Sequence, residues 1–139
     1  MATPGVKRNI FQRILGICAT RPPADEGCWK YEDGKAIVTI SGAPELSREN
    51  GAIRLEGKGM PRRVLVFRGI DGRYHAFGNR CAHMGRRLDP VPGAERVECC
   101  SIGVSSYDYG GKIVSGMVKE NVPTFPVTEE EGKLSIALE

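Results

Sequence analysis

Asn79-Arg80-Cys81-Ala82-His83-Met84-Gly85-Arg86-Arg87-Leu88, joined further on by Val97-Glu98-Cys99-Cys100-Ser101, decides how this sequence is read. In an extended segment successive side chains alternate sides. Cys81 and His83, two apart, therefore put a thiolate and an imidazole on one side, where both reach a single metal centre. Sixteen residues separate His83 from Cys100, which ends a strand-like run beginning at Arg96. A buried structural cysteine beside a surface histidine gives the same Cys-x-His pattern. What lies around the segment argues for the metal. It follows a strand ending near Phe77, and beyond Cys100 come Tyr107-Asp108, a Gly110-Gly111 turn and Lys112-Ile113-Val114-Ser115-Gly116.

Outward from this segment the pattern is one of short strands. From Lys35 the sequence has period two, with Ile37 and Thr39 alternating with Val38 and Ile40. Ala52 to Glu56, Val64 to Arg68 and Tyr74 to Phe77 follow, and Asp71-Gly72 is a hairpin signal between the last two. Asn79 to Glu95 reads as a long loop, and Lys133 to Leu138 closes the chain. Eighteen glycines and nine prolines in 139 residues suit strands and turns rather than long helices. The expectation is an all-β fold, a set of antiparallel sheets with loops at one end. Ahead of it, Ile10, Phe11, Ile14, Leu15 and Cys18 recur at helical spacing, predicting a short amphipathic helix over 7–19. Arg21-Pro22-Pro23-Ala24 then breaks into a linker that Trp29 and Tyr31 anchor. The division is an N-terminal helix and linker over 1–34 and a β domain over 35–139.

Charge and cysteine content exclude several classes. Twenty basic and 17 acidic residues give +3, and they are interspersed, which argues against nucleic-acid binding. No stretch approaches the roughly 20 apolar residues of a membrane span. Ile14 to Ala19 is too short for a secretory signal core. Five cysteines, an odd number, without such a signal point to metal or redox chemistry rather than a disulfide framework, and to the cytoplasm. Organellar targeting is the alternative, because Lys7, Arg8, Arg13 and Arg21 all precede the first acidic residue, Asp25.

At this point the chain resembles the Rieske iron–sulfur family. That family's fingerprint is Cys-x-His-x-Gly-x-x-Leu, a gap of about fifteen to seventeen residues, Cys-x-x-His-Gly, an aromatic-Asp pair, a turn and a glycine-containing return strand. Cys81, His83, Gly85 and Leu88 match the first half, and Cys100, Tyr107, Asp108 and Gly116 the second. The resemblance spans roughly residues 35 to 139. It implies a Rieske-like antiparallel β-sandwich with two ligand-bearing loops and a 2Fe-2S cluster, one iron held by two cysteines and the other by two histidines. A chain this short has no room for a catalytic oxygenase domain. The implied role is a small soluble ferredoxin or redox subunit, an electron carrier rather than a stand-alone enzyme, whose partner is a redox protein or larger oxidoreductase.

One ligand of that pattern is missing. The second histidine should stand at residue 103, which is Gly103, and the glycine after it is Val104. The other histidine, His75, reads as a half-buried residue of the preceding strand. Cys99 is a substitute donor that would give three cysteines and one histidine, provided the strand ends before it, since neighbours in a strand face opposite ways. Ser101, Ser105, Ser106, Asp108, solvent or a partner's side chain are other fourth ligands. Two further readings stand beside the cluster: a cluster-less interaction module docking on a larger redox enzyme, and a zinc site of Cys81, His83 and one or both of Cys99 and Cys100. Arg62-Arg63 and Arg86-Arg87 either steer an acidic redox partner or are solvated loop residues. Cys18 and Cys28 lie outside the matched motifs.

Overall fold

The computed structural model describes residues 20–80, 87–99, 105–115 and 121–138. The helix expected over 7–19 lies outside them. Among the described residues twelve strands run in order: β1 (Trp29–Glu32), β2 (Lys35–Thr39), β3 (Ala52–Leu55), β4 (Val64–Arg68), β5 (Tyr74–Gly78), β6 (Leu88–Pro90), β7 (Arg96–Cys99), β8 (Ser106–Asp108), β9 (Ile113–Ser115), β10 (Thr124–Phe125), β11 (Val127–Glu130) and β12 (Lys133–Ala137). They make three four-stranded sheets, ordered β1-β2-β12-β11, β10-β5-β4-β3 and β6-β7-β8-β9. Every pairing is antiparallel. The helical elements among the described residues are the short 3-10 turns Glu26–Cys28, Ile40–Gly42 and Pro44–Ser47. The all-β, antiparallel expectation holds.

Alternation explains which faces are buried. Ala36 and Val38 of β2, Ile53 and Leu55 of β3, and Leu134 and Ile136 of β12 point inward, their neighbours outward. Strand β4 departs from alternation because it is buried on both faces. Val64 and Val66 join a first core with Trp29, Ala36, Val38, Leu46, Ile53, Leu55, Leu134 and Ile136. Leu65 and Phe67, facing the other way, join a second core with Phe77, Leu88, Val97, Cys99, Tyr107 and Val122. One strand is thus the wall between two cores, and the β6–β9 sheet closes the second.

Several strands fall where the sequence reads otherwise. Strand β1 lies inside the linker region and pairs with β2 across Asp33-Gly34, a two-residue turn with both φ positive (52° and 77°). That is the geometry an Asp-Gly hairpin favours. Strand β6 lies inside the segment read as a long loop. Its Pro90 cannot donate to a ladder, but β6 is an edge strand, where this is tolerated. The linker itself is fastened down. Thr20 N–H donates to the buried carboxylate of Asp89 (2.8 Å), Arg54 N–H to Arg21 O (3.0 Å) and Ala24 N–H to Glu45 Oε2 (2.8 Å). Lys58 lies 4.4 Å over the Trp29 ring and donates to Trp29 O (2.8 Å) and to Glu26 O. Residues 20–24 therefore form a strap from Asp89 beside the second core to β3 beside the first.

Candidate metal centre

Cys81, His83 and Cys100 lie in the runs 81–86 and 100–104, outside the described residues; the chain on either side of both runs is described. Run 81–86 leaves β5 through Asn79, whose N–H donates to Arg63 O (2.9 Å), and returns at Leu88. There the Leu88 N–H donates to Asn79 Oδ1 (2.7 Å), so one side chain clasps both ends of the run. Run 100–104 leaves β7 at Cys99 and returns at Ser105. Cys99 N–H donates to Ser105 O (2.9 Å), and Ser105 N–H donates to Cys99 Sγ (3.2 Å). Leu88 and Cys99 are register partners in the β6-β7 ladder. Two connections far apart in sequence therefore spring from adjacent strand ends.

Cys99 is in the ladder, fully buried, and on the same side of β7 as Val97, toward the second core. Beside the first base, Arg87 Nε and Nη2 hold the Glu56 carboxylate at 2.6 and 2.8 Å. This ion pair, led by the hydrogen bond, holds the Glu56 carboxyl below the usual glutamate range. Arg54 Nε lies 3.8 Å from the same carboxylate. His75 sits in β5 with its Nε2 on the Asp71 carboxylate (2.9 Å) and its ring between Phe67 (5.3 Å) and Tyr109 (4.4 Å). It is built into the hairpin end of the domain, as its strand position suggests. The clasp by Asn79 and the Glu56–Arg87 pair were missed in the sequence. A polar, turn-forming residue closing β5 two positions before Cys81 was the available signal for the clasp; the ion pair, 31 residues apart, left none.

Two adjacent strand connections carrying Cys-x-His and a further cysteine, on an antiparallel β domain, define the Rieske type of metal-holding fold. The chain belongs to the Rieske [2Fe-2S] domain family, whose model matches residues 37–126. Among solved structures, the Sphingomonas yanoikuyae ferredoxin is similar with TM-score 0.56 and 23% identity, over 65% of this chain and 87% of that one. The cyanobacterial plasma membrane Rieske protein of Synechocystis gives 0.52 and 18%, over 62% and 85%. A chain from the complex between oxygenase and ferredoxin in carbazole 1,9a-dioxygenase gives 0.57 and 21%, covering 78% of this chain but 29% of its own length. At these identities the likeness is one of fold. No curated protein matches the chain.

The family implies a 2Fe-2S cluster and electron transfer. The surroundings fit such a group. Asn79 Nδ2 at one base and Ser105 Oγ at the other are buried and lack a hydrogen-bond partner among the described residues. Buried donors of this kind carry a desolvation cost that an electron-rich neighbour removes. In the sequence, Cys81, His83 and Cys100 stand at three positions of the family motif, and Gly103 stands where its second histidine would be. No helix among the described residues is long and apolar enough to cross a membrane.

Proposed function

We propose that this chain is a one-electron carrier, a small ferredoxin or the redox subunit of a larger oxidoreductase, working through an atypical Rieske-type 2Fe-2S cluster. The observation that carries the reading is the meeting of the two run bases, with Leu88 opposite Cys99. Cys81 and Cys100 would hold one iron and His83 the other. The strand does not end before Cys99 as a ligand role there would require, so the fourth donor is an oxygen from Ser101, Ser105, Ser106, Asp108, solvent or a partner, with Cys99 the alternative if its strand pair opens. When bound, the cluster supplies one-electron chemistry.

The chain's own residues prepare the place for it. Asn79 and the Cys99–Ser105 bonds fix where the two runs begin and end. Leu88, Val97 and Tyr107, buried in the second core, back the strands from which the runs leave. For Cys99 to serve as a ligand, the last pair of β7 must open and release Sγ from the core. The buried thiols of Cys99 and Cys28, reduced in this structure, suit the reducing cytoplasm.

Anaerobic purification tests the reading. Brown protein with iron and acid-labile sulfide near two per chain supports it, and a colourless protein without iron overturns it. Gly103 in place of the second histidine is what favours the competing module without a cluster, and zinc in the colourless protein would select the Cys/His zinc site. Cys81→Ser and Cys100→Ser should each abolish iron retention. Iron and spectrum that survive Cys99→Ser assign the fourth position to an oxygen donor; their collapse assigns it to Cys99. With one imidazole, the reduction potential should fall between about −400 mV of plant-type all-cysteine clusters and about −150 mV, the lower edge of two-histidine centres.

A further inference from the structure

Among the described residues, the end of the domain from which the two runs leave is basic at its rim. Arg54 lies near the end of β3 with Glu56 just after it, Arg63 just precedes β4, Arg80 follows β5 and Arg87 just precedes β6. The backbone bond from Asn79 N–H to Arg63 O and the clasp from Leu88 N–H to Asn79 draw three of these arginines around one point. Glu56, engaged by Arg87 and near Arg54, brings the fourth. Arg80 is exposed, and Arg54, Arg63 and Arg87 are half-buried. Burial first, and then Arg87, with Glu56 opposing and Arg80 and Arg54 adding smaller effects, push the Arg63 guanidinium down from its ordinary value. The nearest carboxylates along β6 and β7, Asp89 and Glu98, are buried at 1% and 6% exposure and do not face the surface.

The opposite end of the same strands differs. There Arg48, Arg68 and Arg73 stand with Glu49, Asp71 and Glu95, and Tyr109 feels all three of those acids. Among these described residues, three arginines stand with three acids at the hairpin end, and four arginines stand with Glu56 at the run end.

We infer that the rim of Arg54, Arg63, Arg80 and Arg87 is a docking surface for an acidic face of the protein that exchanges electrons with this chain. The inference rests on the electron-carrier reading for the identity of the partner. Complementary charge speeds encounter and orients it, and this rim lies beside the runs that hold the proposed ligands. Glu56 holds Arg87 in place, Arg63 adds positive charge to the rim, and the exposed Arg80 offers a guanidinium face suited to bidentate recognition of carboxylates.

Binding of labelled poly-L-glutamate, a stand-in for an acidic protein surface, tests the rim by fluorescence anisotropy across a salt titration. The full chain should bind it, and the binding should weaken as salt rises. Arg63→Gln with Arg80→Gln should weaken binding by about tenfold, on the scale of two charged contacts. The charge-keeping pair Arg63→Lys with Arg80→Lys should restore most of it. Arg48→Gln with Arg73→Gln, the same loss of charge at the hairpin end, should change it by less than about twofold. Equal losses in the two Gln pairs would reduce the effect to net charge and overturn the inference. So would no binding at low salt, or tighter binding to duplex DNA or to phosphatidylserine vesicles than to polyglutamate. None of these readings requires iron, so a failed rim and a failed electron-carrier reading are told apart: the first loses binding and the second loses colour.

Discussion

The two cores of this domain are closed by different means. The first lies among β1, β2, β3, β12 and the inward face of β4, and apolar side chains close it with strands of four and five residues. The second has Leu65, Phe67 and Phe77 of the longer strands on one side, but β6, β8 and β9 on the other are three residues each. Short ladders leave few backbone bonds. Its edges are tied instead by particular polar contacts: Asn79 to Leu88, Ser105 to Cys99 Sγ, and Arg87 to Glu56. Burial of area is spread over many atoms, whereas a polar clasp depends on one donor meeting one acceptor. The half that bears the runs with the proposed ligands is the half built from clasps.

The largest expected effect tests the first core. Leu134→Ala removes a fully buried side chain and should cost about 2–5 kcal/mol in urea unfolding. A loss below about 1 kcal/mol would mean that this core does not carry the fold. Next comes Asn79→Ala, which strands the Leu88 N–H and should cost about 1–3 kcal/mol while lowering iron content. Iron retained in full would show that the first base holds without its clasp.

Glu56→Gln should cost less than about 1 kcal/mol, because the pair is partly exposed and solvent screens it. The accompanying pH effect has a fixed sign. The folded-state carboxyl of Glu56 lies below its unfolded value, so its contribution is complete above the ordinary glutamate range and is lost as pH falls through the folded value. Wild type should therefore lose stability faster than Glu56→Gln on acidification below about pH 4.3. Parallel curves would remove the ion pair from the account. The smallest expected effect is chelation. Far-UV circular dichroism should persist after metal removal, because a core of this size stands without a metal. Loss of the whole β signal would erase the distinction between the two halves.

Much of this was legible in the chain. Period-two alternation located β2, β3 and β12, and Asp71-Gly72 located the β4–β5 hairpin, closed by the bond from Gly69 N–H to Arg73 O (2.8 Å). The same reasoning should have found β1, since Asp33-Gly34 is an equally direct hairpin signal; the prolines ahead of it drew the reading toward a linker. Strand β6 was hidden by Pro90, which argues against a ladder position unless the strand is known to be at an edge, and edges are a tertiary property. The turn at Gly110-Gly111 was readable, but not why glycine is needed. Gly111 has φ +83°, and a Cβ there would come within 2.1 Å of Val122 O. At the candidate site the motif positions were readable and the clasps were not. Asn79 to Leu88 and Glu56 to Arg87 join residues whose nearness exists only after the sheets have formed.

The strap over residues 20–24 also gives the domain a direction under mechanical load. Tension arriving through the N-terminal segment falls first on Thr20 and Arg21, hence on Asp89 in β6 and Arg54 in β3. Those two anchors belong to different sheets, so a pull is divided across the seam between the cores before it reaches the ladders of either. A force experiment that grips the protein ahead of residue 20 should therefore show a small early extension as the strap peels away, followed at higher force by rupture of the first core.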